Sequence, residues 1–388
     1  MQFTDTEYQQ RVNHVTRRMV TANVDVLLIS DPSNMCWLTG FDAWSFYVHQ
    51  GVIVHADGTV LWWGRPMDAR AAELTTWLDH DNIHEYSDDH VQNPDKHPMA
   101  FVAKLLHSQG WDRMSLGLEM DNYYFSAQAF VTLQQTLPQA TLLDATALVN
   151  WCRSIKSDAE IDFMRKAARI VERMHAQAFE LIEPGMRKND LVAEIYKTAI
   201  SGTPEFGGDY PAIVPLLPSG RDAAAAHMTW TDEPLANNQG TFFELAGVYR
   251  RYHCPLARTI YLGKPPQKFK DTEQAILDGI EAALQAAKPG NTCESIEAAW
   301  RTTVARYGIK KESRIGYSTG LSYPPDWGER TMSIRAGDTT ELRENMVFHL
   351  IPAIWQEDWG MEITETFRIT ATGAEPLCHY PRKLLVKT

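Results

Sequence analysis

The sequence predicts a two-domain protein, α/β followed by α+β. An α/β domain with a mixed sheet spans residues 1–150, and in a second domain, over 157–388, two related halves share one central sheet. Three observations predict it. A chain of 388 residues with 44% hydrophobic content is long enough to build two cores. A helix-to-strand alternation runs to about residue 150. A helix, Pro-Gly, helix unit then occurs twice, at about 158–200 and 271–307, each time followed by strand-like segments.

Residues 6–22 carry the mixed spacing of an amphipathic helix, and VDVLLIS at 24–30 is a short apolar run of the buried-strand type. The stretch NMCWLTGFDAWSFYVHQGVIVHADGTVLWWG alternates apolar segments with Gly and Asp-Gly turns, which predicts further strands and a hairpin at Asp57-Gly58. RPMDARAAELTTWL returns to helical spacing. FVAKLLHSQGW and SLGLEM repeat the helix-to-strand step, and a helix around 126–136 with the strand TLLDA closes the first domain.

In the second domain SDAEIDFMRKAARIVERMHAQAFELI is a long helix, with Ser157 or Asp158 placed to cap it and Pro184-Gly185 to end it. DLVAEIYKTAIS follows as a second helix. DTEQAILDGIEAALQAA, ended by Pro289-Gly290, and CESIEAAWRTTVARYG repeat the arrangement. Two halves of this kind around one sheet place a site where they meet. Between the helix pairs, TFFELAGVYRRYHCPLARTIYL reads as two strands joined by a tight turn.

Composition excludes several classes. With 49 acidic against 37 basic residues the net charge is −12, and no dense Lys/Arg cluster offers a phosphate-binding footprint, so nucleic acid is not an expected partner. The acidic balance fits a salt-rich cytoplasm and an ordinary solvated surface alike. Five scattered cysteines without CxxC spacing point to a reducing cytosol. The polar start MQFTDTEYQQRV and the lack of a long apolar run argue against export and against a membrane span.

The helix, Pro-Gly, helix order, His227 in AAAAHMTW, the paired strands ending in ARTIYLGKP, the turn RIGYSTGLSYPPDWGE, MVFHLIPAIW and GMEITETFRITATGAEPL together resemble the pita-bread hydrolases. That group includes methionine aminopeptidase, aminopeptidase P, prolidase and creatinase. The resemblance covers residues 157–388 and implies pseudo-twofold helix pairs around a curved antiparallel sheet. The first domain resembles the one that precedes it in prolidase and creatinase.

The catalytic letters depart from the metal-binding pattern of the family. Its five ligand positions, two Asp, one His and two Glu, fall on Glu244, Pro255, Tyr317, Ile351 and Thr364. A second family histidine falls on Pro324. Pro and Ile offer no side-chain donor, so neither a metal nor another cofactor is expected. Creatinase likewise cleaves an amidinium-type carbon without metal, and ELAGVYRRYHCPLARTIYLG resembles the members that open cyclic amidines such as ectoine. Creatinase itself is the weaker match, because Ala257 stands where it places a glutamate for the guanidinium. The expected substrate is a small zwitterionic amidine, whose cation takes the place of the metal's charge.

On that reading Glu244 is either a nucleophile on the amidine carbon or the base that activates water; its bland alternative is an internal pair with Arg250, Arg251 or Arg258. His227, 17 residues upstream, matches the family's upstream histidine and would shuttle protons, a task for imidazole. Alternation puts Glu362 on the face of Thr364 and makes it the second carboxylate, with Glu365 as the other choice and a pair with Arg368 as the alternative to both. Tyr317 and Trp327 would bind the cation with their ring faces or else pack a core. Tyr252, His253 and His349 are further binding candidates that could equally fill the core. In the first domain Trp37, Phe46 and Tyr47 form an aromatic run; in creatinase-like homodimers this region reaches the partner's active site, and the resemblance implies the same here.

Overall fold

A computed structural model of the chain describes residues 2–388. The chain divides into two units, one ending at Arg153 and the other running from Ser154 to Thr388.

The first unit contains α1 (Asp5–Thr21), β1 (Val26–Ile29), α2 (Pro32–Thr39), β2 (Gly51–His55), β3 (Val60–Gly64), α3 (Pro66–Thr75) and β4 (Ile83–Glu85). It continues with α4 (Pro98–Ser108), β5 (Ser115–Leu118), α5 (Ala127–Thr136), β6 (Thr141–Asp144) and α6 (Leu148–Arg153). Its strands order as β4-β3-β2-β1-β5-β6. β1 runs antiparallel to β2 and parallel to β5, so the sheet is mixed as the alternation predicts. Val26, Leu28, Ile53 and Leu116 on the sheet meet Val102, Leu106 and Leu133 from α4 and α5 in one core.

One expectation in this unit fails. Asn34 to Leu38 form part of α2 rather than a strand, because Asp31 caps Ser33 N at 2.7 Å, Pro32 opens the first turn and Gly40 ends the helix at φ +87°. End signals of this kind outweigh the apolar letters between them. Trp37 is thereby a core residue: its carbonyl accepts Arg11 Nη1 at 2.7 Å and its ring lies 4.9 Å from the Arg11 guanidinium. It is not placed to bind a substrate. Phe46 is half-buried against Trp44 and Tyr124, and Tyr47 is 66% exposed with its hydroxyl accepting Arg65 Nη2.

The second unit opens with α7 (Asp158–Leu181), α8 (Lys188–Ser201), β7 (Gln239–Tyr249), β8 (Tyr252–Leu262), α9 (Gln267–Ala286) and α10 (Cys293–Val304). Then come β9 (Gly316–Thr319), β10 (Gly328–Ser333), β11 (Val347–Leu350), β12 (Ile354–Trp355), β13 (Gly360–Met361), β14 (Glu365–Thr370), β15 (Gly373–Pro376) and β16 (Leu385–Lys387). Ser157 and Glu160 form a reciprocal capping box that starts α7. Its buried face, Ile161, Met164, Ala168, Val171 and Met174, packs on β7 and β8. Gly247 on β7 lets the helix approach: a Cβ there would stand 2.1 Å from the Ala167 carbonyl oxygen.

The repeat seen in the sequence is real in three dimensions. Gly185 and Gly290 both take left-handed φ, +89° and +85°, at the turns between α7 and α8 and between α9 and α10. Gly185 N donates to Leu235 O at 2.8 Å and Gly290 N to Leu342 O at 3.1 Å, so each half closes its helix turn against a later loop in the same way. The strands form β10-β9-β11-β14-β15 and β16-β8-β7, stitched where Thr364 N donates to Ala257 O and Thr366 Oγ1 to Pro255 O. The pairs within this framework are antiparallel except β16 on β8, which is parallel.

Candidate active site

The site is built on β7 and β8, an unbroken ladder from Tyr249↔Tyr252 to Gln239↔Leu262. Arg250 and Arg251 make the two-residue turn with φ of +48° and +67°, a left-handed pair that suits hairpin twist but that side chains adopt reluctantly. Asp209 accepts Arg251 N at 3.2 Å, and the Arg251 guanidinium stacks 3.9 Å from the Tyr210 ring centre, which holds the turn in place. With that register Glu244 sits opposite Ala257, and both its backbone groups bond Leu216 at 3.1 Å.

The Glu244 side chain enters a cavity of about 600 Å³. Ile213, Leu216, Ile351, Trp327 and Trp355 give it apolar walls, while His227, Arg314, Tyr317 and Asp326 add polar ones. Among the described residues Glu244 has no side-chain hydrogen bond or ion pair, so the pairing with an arginine does not occur. Burial pushes its carboxyl up to about 7.

Glu362 lies close enough to feel that charge. It is fully buried; Oε1 accepts Trp355 Nε1 at 3.0 Å, and Oε2 is buried without a hydrogen-bond partner. Burial first, and Glu244 second, raise its carboxyl well above the usual range, opposed by the Trp355 bond and by Lys311. Lys311 packs its ammonium 3.9 Å from the Trp355 ring centre, donates to Ala353 O, and is lowered to about 8 by burial. In these apolar surroundings both carboxyls hold their protons more tightly than an exposed glutamate does.

Tyr317 borders Glu244. Burial, then the Glu244 charge, keep its phenol well above the ordinary tyrosine value, so it stays protonated. Its oxygen accepts Trp327 Nε1 at 2.7 Å and lies 3.3 Å from His349 Nδ1. Thr364 Oγ1 accepts Ala257 N at 2.7 Å and lies 2.9 Å from His349 Nε2, so the imidazole bridges the threonine and the tyrosine.

Four of the residues expected from sequence, Glu244, His227, Tyr317 and Trp327, line the cavity together, and Glu362 stands beside them. Four do not. His349 lies behind Tyr317, fully buried and lowered to about 3 by desolvation, and serves to orient the phenol rather than to touch a ligand. His253 shares the strand face of Glu244, but Nε2 accepts Ala212 N and Nδ1 meets Arg251 O, so both nitrogens are taken by backbone. Tyr252 turns to the helix side, where its hydroxyl donates to Glu160 at 2.6 Å. Glu365 accepts Arg258 Nη2 at 2.7 Å and Arg382 Nε at 3.1 Å in the core, while Arg368 pairs with Glu375. Sequence reading missed Trp355, Lys311 and Arg314, which sit in irregular or very short segments where no periodicity marks a face.

The donor set does not fit a metal cluster. Glu244, Tyr317 and Ile351 line the cavity, but only Glu244 supplies a carboxylate. Thr364 Oγ1 is engaged by Ala257 and His349, and Pro255 has no donor to give. Among the described residues no group of three or more His, Cys, Asp or Glu side chains is arranged to hold a metal ion.

The comparisons agree with this architecture. The model of metallopeptidase family M24 matches residues 162–371, and that of the creatinase/prolidase N-terminal domain matches 11–155. An ectoine hydrolase of Halomonas elongata is 54% identical over 99% of this chain and 98% of its own. An uncharacterised hydrolase/peptidase of Sinorhizobium fredii is 42% identical over 100% and 99%. Among solved structures a prolidase from Thermococcus sibiricus superposes with a TM-score of 0.85 at 20% identity, over 98% of this chain and 99% of that one, which shows the shared fold. With both domains matched and the pita-bread framework in place, the chain belongs to metallopeptidase family M24, in the branch that carries the creatinase/prolidase N-terminal domain.

Proposed function

We propose that the chain hydrolyses the cyclic amidine of ectoine, and of its hydroxylated form, to N-acetyl-diaminobutyrate without a metal ion. The observation that carries this reading is the buried pair Glu244 and Glu362, which no cationic side chain among the described residues bonds and whose protons burial retains. An amidinium that lies against both supplies the missing charge and hydrogen bonds in a place where water cannot. The ectoine hydrolase of Halomonas elongata, alike over nearly its whole length, supports the choice of substrate.

In the reaction one water adds across the amidine carbon, one carbon–nitrogen bond breaks, and the departing nitrogen takes a proton to leave as an amine while the other keeps the acetyl group. Glu244 either attacks the carbon itself, to be released by water, or takes the proton of the attacking water. Tyr317 donates its phenolic hydrogen to the developing charge, and His227, exposed on the cavity wall, exchanges protons with solvent. We read the chain further as a cytosolic homodimer in which Phe46 and Tyr47 reach the partner's site.

The test is direct. The purified protein is offered ectoine, creatine and an X-Pro dipeptide, with and without a chelator. Chelator-insensitive release of an acetylated diaminobutyrate is the expected result; peptide cleavage that a chelator abolishes, or no turnover of ectoine, overturns the reading.

A further inference from the structure

We infer that Arg314 holds the substrate's carboxylate and so makes the cavity select a zwitterion over a simple amidinium cation. The inference rests on the amidine reading above and adds the second half of the recognition. Glu244 and Asp326 on the cavity wall, with Glu362 close behind, would attract any small cation. Arg314 is the one permanently charged base among the described residues that line the space.

Its placement is fixed from two sides. The backbone of the next residue, Ile315, bonds Ile334 O through its N–H and accepts Ile351 N, so the chain at Arg314 is anchored to the residues that follow β10 and β11. The guanidinium then lies 4.6 Å from the centre of the Tyr317 ring, the tyrosine that borders Glu244. One N–H goes to Ser333 Oγ at 3.1 Å. Guanidinium carries five N–H donors, and among the described residues no carboxylate pairs with this one. The residue is exposed and lines the cavity, and a guanidinium fork has the width that a carboxylate fills with two hydrogen bonds. A ligand with its amidinium against the two acids and its carboxylate on Arg314 satisfies both ends at once.

The experiment compares ectoine with methyl-tetrahydropyrimidine, the same ring without the carboxylate, on the wild type, Arg314→Met and Arg314→Lys. Loss of a charge-assisted pair predicts that Arg314→Met lowers kcat/KM for ectoine about 10- to 100-fold, mostly through KM. The carboxylate-free ring should be hydrolysed equally by wild type and variant, and Arg314→Lys should recover part of the loss. An equal fall on both rings, or no fall on ectoine, overturns the inference while the amidine reading stands. If the wild type turns over neither ring, both fail together.

Discussion

The indole N–H of Trp355 ends 3.0 Å from Glu362 Oε1, while Oε2 of the same carboxylate lies buried with no hydrogen-bond partner. One donor for a carboxylate that can accept several leaves this group half-satisfied. Trp355→Phe removes that donor. We expect a loss of about 1–3 kcal/mol in stability by urea unfolding, because a buried acceptor loses its donor. The acid limb of kcat/KM should move to higher pH, because the bond opposes the rise of Glu362. An unchanged limb would separate Glu362 from the chemistry.

Glu244→Gln should abolish turnover of ectoine while leaving binding measurable. Its effect on stability has a defined sign. The carboxyl is raised from 4.5 to about 7 in the folded state, so native Glu244 favours folding below about 4.5, and that contribution is lost as pH rises through about 7. The glutamine variant should therefore match the wild type near pH 4.5 and exceed it near pH 8, by an amount on the order of a few kcal/mol at about 1.4 kcal/mol per tenfold. Thermal or urea unfolding at the two pH values checks this.

A permanent cation that docks against carboxyls whose protons burial retains has to displace a proton. Titration calorimetry of ectoine into Glu244→Asn at pH 6.5, in buffers of different ionisation enthalpy, serves as the control, since one acid is gone. With the wild type held on a slowly hydrolysed amidinium, about one proton should be released per site. Binding heats independent of the buffer would argue against the retained proton.

Sharing of sites across a homodimer can be tested by mixing. Tyr47→Ala and Glu244→Gln homodimers should each be impaired, and heterodimers formed from them should regain one working site. No recovery after subunit exchange would place Tyr47 outside the site.

Glu244 was legible because strand alternation and a matching motif converge on one letter, and the capping of α7 by Ser157 was legible because caps are local chemistry. What alternation cannot say is what lies over each face. Tyr252 and His253 are neighbours on β8, yet one meets a helix carboxylate 92 residues away and the other spends both nitrogens on backbone, one of them on Ala212, 41 residues away. Glu365 found Arg258 and Arg382 rather than the nearby Arg368 for the same reason: the partner is set by which sheet is stitched alongside. Trp37 misled because its segment is too short for periodicity to outweigh the signals at its ends. Arg314, in an irregular approach to β9, had no pattern at all.

The hairpin that carries Glu244 has no bulge between its turn and the site, so the face its carboxylate takes is set by the count of residues along the ladder. A one-residue slip of β7 along its partner would exchange inward for outward along the strand and hand Glu244 to the helix side. Evolution within such a hairpin is therefore free to rewrite letters, as Pro255 and Ala257 illustrate, but is held to one register.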